Sequence, residues 1–307
     1  MFPLASCHIA RFFYWNLADI NDYKKFPAFE IQHGDEKIRI PVSKKQISFP
    51  LPEQFQQDQK YKDLEQFLDE NNTVAFLVLR NDTIIYEKYF DDFNQHSIFP
   101  VFSVAKSFVS ALTGIAIAEG YIRDVHQPIT EYLPELDNEN FNKITIEHLL
   151  NMRSGIKYNE GYYNPLGQMA KFYYGRNLKK YAFNIKIKEP PDLYYDYISV
   201  NTQLLAFILE RATGSKLSEY LQEKIWKHAG MEYDASWNYD SKKHQNIKAF
   251  CCINARPRDF AKFGLLYLHK GQLNGKQIIP VDWVERSTTI MNDSRDSQNY
   301  PYTYCWR

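Results

Sequence analysis

From Val104 to Ala118 the chain is apolar or small at nearly every position, interrupted by Lys106 and a few hydroxyl side chains, and Gly120 closes the run. That is too long for an ordinary strand and predicts a central buried helix beginning at Ser103. Upstream, residues 73–79 and 83–89 are strand-like runs around the polar turn Arg80, Asn81 and Asp82, the pattern of an antiparallel hairpin. Downstream, residues 200–212 and 217–226 carry apolar side chains at three and four spacing, and Gly214 and Gly230 follow where left-handed caps belong. Thr145 is placed to cap a short helix over residues 146–150. Pro257 opens a helix through Phe260, Phe263, Leu266 and Leu268, Pro280 and Trp283 start another, and residues 61–68 form a further short one.

Two stretches lack such order. Residues 1–60 are aromatic and broken by Pro27, Pro41, Pro50 and Pro52, which predicts an extended N-terminal arm over a main domain of residues 61–307. Residues 159–191, rich in tyrosine, asparagine and lysine, predict a long surface excursion at the rim of a cleft, with its tyrosines packing a loop or, as the alternative, lining a substrate cleft. No internal repeat or low-complexity linker divides the chain.

Composition narrows the class. At 44% hydrophobic and 16% aromatic, 307 residues are ample for a real core. Thirty-seven basic residues balance thirty-seven acidic ones, so no net field points to nucleic acid or an anionic membrane. No run of eighteen apolar residues predicts a membrane span. The four cysteines show no spacing for zinc or redox chemistry, and Cys251 and Cys252 read as small core residues. Leu4, Ala5, Ser6 and Cys7 look like the tail end of a bacterial lipoprotein signal whose apolar part would lie upstream, so export to the cell envelope is one expectation and an ordinary N-terminal segment the other.

Candidate chemistry centres on Ser103 and Lys106, a hydroxyl at the first turn of the buried helix and an amine three residues on, hence on one face. A serine is a poor nucleophile without a nearby base, and a lysine desolvated in a cleft can serve. The spelling alone is cheap: Ser154 and Lys157 repeat it, but Gly155 intervenes and no apolar helix follows. A tyrosine near the start of the helix at Val200 could exchange protons in a cleft, and local pattern does not choose among Tyr194, Tyr195 and Tyr197. His126, His148 and His228 share no metal-binding spacing with carboxylates or cysteines, so no metal is expected.

Taken in order, Ser103 to Phe108, Ile144 to Gly155, Tyr197 to Ser199 with Leu204, Leu205 and Glu210 to Gly214, and Ala255 to Gly264 resemble the serine beta-lactamase and penicillin-binding-protein family. The similarity is closest to the branch of class C beta-lactamases, serine esterases and 6-aminohexanoate-dimer hydrolases, and covers roughly residues 70–306. It implies a mixed α/β (α+β) fold of the beta-lactamase/transpeptidase type: an antiparallel sheet flanked by helices beside a mostly helical subdomain, with Ser103 at the seam.

The resemblance further implies that Ser103 is acylated, that Lys106 activates it, and that Tyr197 shares the base role and then donates the proton. Ser199 takes a supporting position where class C enzymes have asparagine, a departure that the aminohexanoate branch shares. The backbone amide of Ser103 is one expected oxyanion donor; the other belongs to a strand with a Lys-Thr-Gly or His-x-Gly type sequence, which these 307 residues do not contain. A fragment of a longer enzyme and a relative without that motif are the two readings. The expected activity is hydrolysis of a small-molecule amide or ester without metal or organic cofactor. The alternatives are a D,D-peptidase or other cell-wall hydrolase, and a non-catalytic binding protein on the same fold.

Overall fold

The computed structural model describes residues 8–45, 47–56, 60–136, 138, 140–290, 295 and 299–307; the lipoprotein-like Leu4 to Cys7 lies outside them. The predicted central helix is Ala105–Ala118, with every residue from Ala105 through Ala116 buried. Its all-round apolar surface is matched by neighbours on several sides. The helix Ser199–Thr213 packs along it, Phe108 stacks on Phe263 of the helix Pro257–Leu268 with ring centroids 3.7 Å apart, and Gly114 lies against Trp283 of the helix Val281–Thr288. A Cβ on Gly114 would stand 2.2 Å from the indole, so only a residue without a side chain fits there.

The hairpin pairs Ala75–Arg80 with Thr83–Tyr89 around Asn81 and Asp82, whose φ values of 50° and 58° suit a two-residue turn with both central residues left-handed. A second, four-stranded sheet is antiparallel throughout and runs in the order Ala28–Ile31, Ala235–Asn238, Ile253–Ala255, Phe99–Val101. Helices and antiparallel sheets thus share one mixed α/β body. The first of those strands and the helix His8–Trp15 come from the first sixty residues. No helix among the described residues is long and apolar enough to cross a membrane.

Two sequence expectations are corrected. Residues 159–191 carry the helices Gln168–Tyr174 and Leu178–Phe183 rather than a loop alone; Met169, Phe172, Tyr173 and Tyr174 are buried by the body and the N-terminal helix. Polar composition hid that apolar face. Cys251 and Cys252 are joined as a vicinal disulfide, both buried, with Cys252 at a φ of 74°. Adjacent cysteines leave no spacing signal from which such a bond can be read.

One buried charge makes a stability prediction. Lys248 is fully enclosed, its amine 2.9 Å from the Phe26 ring centroid and donating to the Tyr173 carbonyl at 2.7 Å. Burial first, and then the Arg11 charge, hold this amine well below its ordinary 10.5. The unfolded chain therefore binds a proton here that the native protein binds less well, and this site contributes a stability that rises with pH up to the unfolded value. Lys248→Met is expected to remove that slope: in urea titrations its stability relative to wild type is higher at about pH 7 than at about pH 10. A difference independent of pH would mean that the amine stays charged throughout.

Candidate active site

Ser103 sits just ahead of the central helix, exposed, between the strand Phe99–Val101 and the first helical turn. Lys106 follows on the same face but is only 1% exposed, so its amine must be satisfied within the protein. It donates to Ser103 Oγ at 3.1 Å and to the Phe250 carbonyl at 3.0 Å. Phe250 belongs to the segment between the two inner strands of the four-stranded sheet, so sheet and helix together fix the amine. The backbone N–H of Ser103 has no hydrogen-bond acceptor among the described residues.

Of the three candidate tyrosines, Tyr197 comes to Lys106, and it does so with its ring: the amine lies 4.9 Å from the ring centroid. Its hydroxyl bonds neither Ser103 nor Lys106 in this structure. Tyr195 and Tyr197 both pack on Tyr302, at 5.4 and 5.8 Å between centroids, while Tyr194 is exposed. Ser199 is buried as the first residue of its helix. Its N–H and Oγ both donate to the Glu160 carboxylate, at 2.7 and 2.5 Å, and Tyr162 donates to the same group at 3.1 Å. Burial raises the Glu160 pKa, while Lys106 and the Ser199 bonds pull it back down.

Glu160 is the residue that sequence reasoning missed. It lies in a polar, turn-rich stretch and meets Ser199 from thirty-nine positions away, so nothing local announces it. The rival pair separates: Ser154 is buried and donates to Asn201 Oδ1 at 2.7 Å, whereas Lys157 is exposed. His148 closes a capping box with Thr145. No group of three or more His, Cys, Asp or Glu residues suited to a metal occurs among the described residues.

Two cavities meet at Ser103. One, of about 310 Å³, is walled by Tyr162, Tyr163, Met169, Tyr173, Tyr174 and Phe250, with Leu17 and Ala18 closing it from the N-terminal side. The other, of about 550 Å³, is lined by Val104, Tyr195, Tyr197, Tyr302, Trp306 and Arg307. The hydroxyl thus has an aromatic chamber on one side and a larger cavity, also lined by aromatic side chains, on the other. Tyr162, Tyr163, Tyr173 and Tyr174 line the first, the alternative reading of the tyrosine-rich stretch.

The beta-lactamase family model matches residues 62–307. The 6-aminohexanoate-dimer hydrolase of Paenarthrobacter ureafaciens is 30% identical over 266 residues, 80% of this chain; the chain spans 66%, about two thirds, of that protein's length. A Bacillus anthracis protein assigned as a 6-aminohexanoate-dimer hydrolase superposes with a TM-score of 0.82 at 27% identity, covering 96% of this chain and 79% of its own. A penicillin-binding protein from Bacillus halodurans shares the fold with a TM-score of 0.61 at 17% identity, over 75% of this chain and 78% of that one. With the matched stretch containing Ser103, Lys106 and Tyr197, the chain belongs to the beta-lactamase family, close to its 6-aminohexanoate-dimer hydrolase branch.

Proposed function

We propose that this protein is a serine hydrolase that opens an amide or ester through an acyl-enzyme on Ser103. The observation that carries the reading is the 3.1 Å contact between Ser103 Oγ and the buried Lys106 amine, at the meeting point of two cavities. Lys106 takes the hydroxyl proton as Ser103 Oγ bonds to the substrate carbonyl carbon. The negative charge that develops on the carbonyl oxygen is received by the free Ser103 N–H, the first of two donors such an intermediate needs. The carbon–nitrogen or carbon–oxygen bond then breaks as the leaving group takes the proton through Tyr197, whose ring already lies against the amine. Water repeats the sequence on the acyl-enzyme and releases the acid.

Glu160 acts at one remove. Its carboxylate holds the first turn of the Ser199 helix, beside the residues that face Ser103. The chamber of about 310 Å³ is walled mainly by aromatic side chains, which suits an apolar acyl or leaving group of modest size.

The test is intact-mass analysis after exposure to a fluorophosphonate. One adduct is expected on the wild type and none on Ser103→Ala. A folded wild type that takes no adduct would sink the acyl-enzyme reading and favour a binding protein on this fold. A parallel incubation with a penicillin separates substrates, since stable labelling there points to cell-wall peptides.

A further inference from the structure

A larger cavity, of about 830 Å³, lies against the N-terminal helix His8–Trp15 and shares no lining residue with the two cavities at Ser103. Its walls include Arg11, Tyr14, Trp15, Phe26, Arg176 and Lys242. The Arg11 guanidinium stacks 4.3 Å from the Trp15 ring centroid and 5.5 Å from that of Phe26, and its buried Nη1 has no hydrogen-bond partner. A buried N–H of a charged group left unmade is costly, and the usual explanation is a partner that is not part of the chain.

The carboxylates nearby are already committed. Asp19 and Asp22 pair with Lys25 at 2.7 and 2.5 Å. Asp240 accepts from the backbone of Leu178, Ser241 and Asn246 and from the Asn246 side chain, all within 3.1 Å. Among the described residues Arg11, Arg176 and Lys242 have no ion pair, and Arg176 and Lys242 are exposed. Burial foremost, and then the Arg176 charge, lower the Arg11 pKa to about 10, against a smaller opposing pull from the Asp240 carboxylate on the same cavity wall.

We infer that this cavity binds an organic anion with a planar apolar body, its carboxylate between Arg11 and Arg176 and its ring against Trp15 and Tyr14. Guanidinium offers a planar fork of donors that suits a carboxylate, and the indole beside it supplies a flat apolar wall. The inference does not depend on the chemistry at Ser103, and it assigns to the N-terminal helix a binding role that the family-matched residues 62–307 do not contain.

Calorimetry and thermal melts with 1-naphthoate, its alcohol counterpart 1-naphthylmethanol, and inorganic phosphate test it. Naphthoate is expected to bind and to raise the melting temperature. Arg11→Gln and Arg176→Gln are each expected to weaken it by about tenfold, the scale of one lost charge-assisted contact. Arg176 is exposed and its side chain makes no described hydrogen bond, so its variant keeps the fold; it is also absent from the Ser103 chambers, so its effect distinguishes the two locations. Binding that survives both substitutions, an alcohol or phosphate bound as tightly as the acid, or no binding at millimolar naphthoate would each overturn the inference.

Discussion

Lys106→Met is expected to lower kcat/KM for an activated ester by about a thousandfold or more, with the protein still folded. Methionine nearly matches the length of the lysine stem, so the space under Ser103 stays filled, and a buried amine is replaced by an apolar group. The Phe250 carbonyl loses its donor, a cost of about 1 kcal/mol that a body of this size tolerates. What is lost, on the proposed mechanism, is the group that takes the Ser103 proton. Steady-state kinetics together with a melting curve read both quantities. A variant that melts normally and keeps activity within about tenfold of wild type would show that some other group activates the serine. Lys106→Ala is a poorer test, because an empty slot beneath the nucleophile confounds chemistry with packing.

Gly114→Ala is expected to destabilise the protein although it adds a single methyl group. Alanine has the better helix propensity by roughly 1 kcal/mol, and that gain is real at a mid-helix position. Against it stands a Cβ that would lie 2.2, 2.3 and 2.6 Å from three atoms of the Trp283 indole. Contact with three ring atoms at once cannot be relieved by a small rotation, so the two helices must separate at a cost of roughly 1–3 kcal/mol or more. The net effect is a melting point lower by several degrees. The double variant Gly114→Ala with Trp283→Ala is expected to be markedly less destabilised than the sum of the two single changes. Strict additivity would show that the indole is not what forbids the methyl group.

What was legible in the sequence was whatever depends on neighbours along the chain. The central helix, the hairpin turning at Asn81 and Asp82, the Gly214 cap at a φ of 70° and the Thr145 cap all rest on local periodicity or local backbone chemistry. Ser103 and Lys106 were visible for the same reason, being three residues apart on one helix. Most of the rest depends on encounters between distant segments. Ala28–Ile31 pairs with Ala235–Asn238 across some two hundred residues, and strands of three or four residues are too short to show alternation. Glu160 is invisible until its loop folds onto Ser199. Tyr197 shows the intermediate case: its identity came from the resemblance, while its presentation of a ring rather than a hydroxyl to Lys106 comes from the packing of Tyr302 beneath it.

Leu17 and Ala18 close the aromatic chamber at Ser103, yet they lie outside the stretch that matches the family, residues 62–307. On the proposed mechanism, the reacting groups and part of the chamber wall beside them therefore come from different portions of the chain. Substitutions in the N-terminal segment can reshape the chamber while leaving Ser103, Lys106, Tyr197 and Glu160 untouched, so relatives with identical reacting groups need not share a substrate. Because the same segment also supplies the edge strand Ala28–Ile31 to the four-stranded sheet, the shape of the chamber is tied to the docking of that strand.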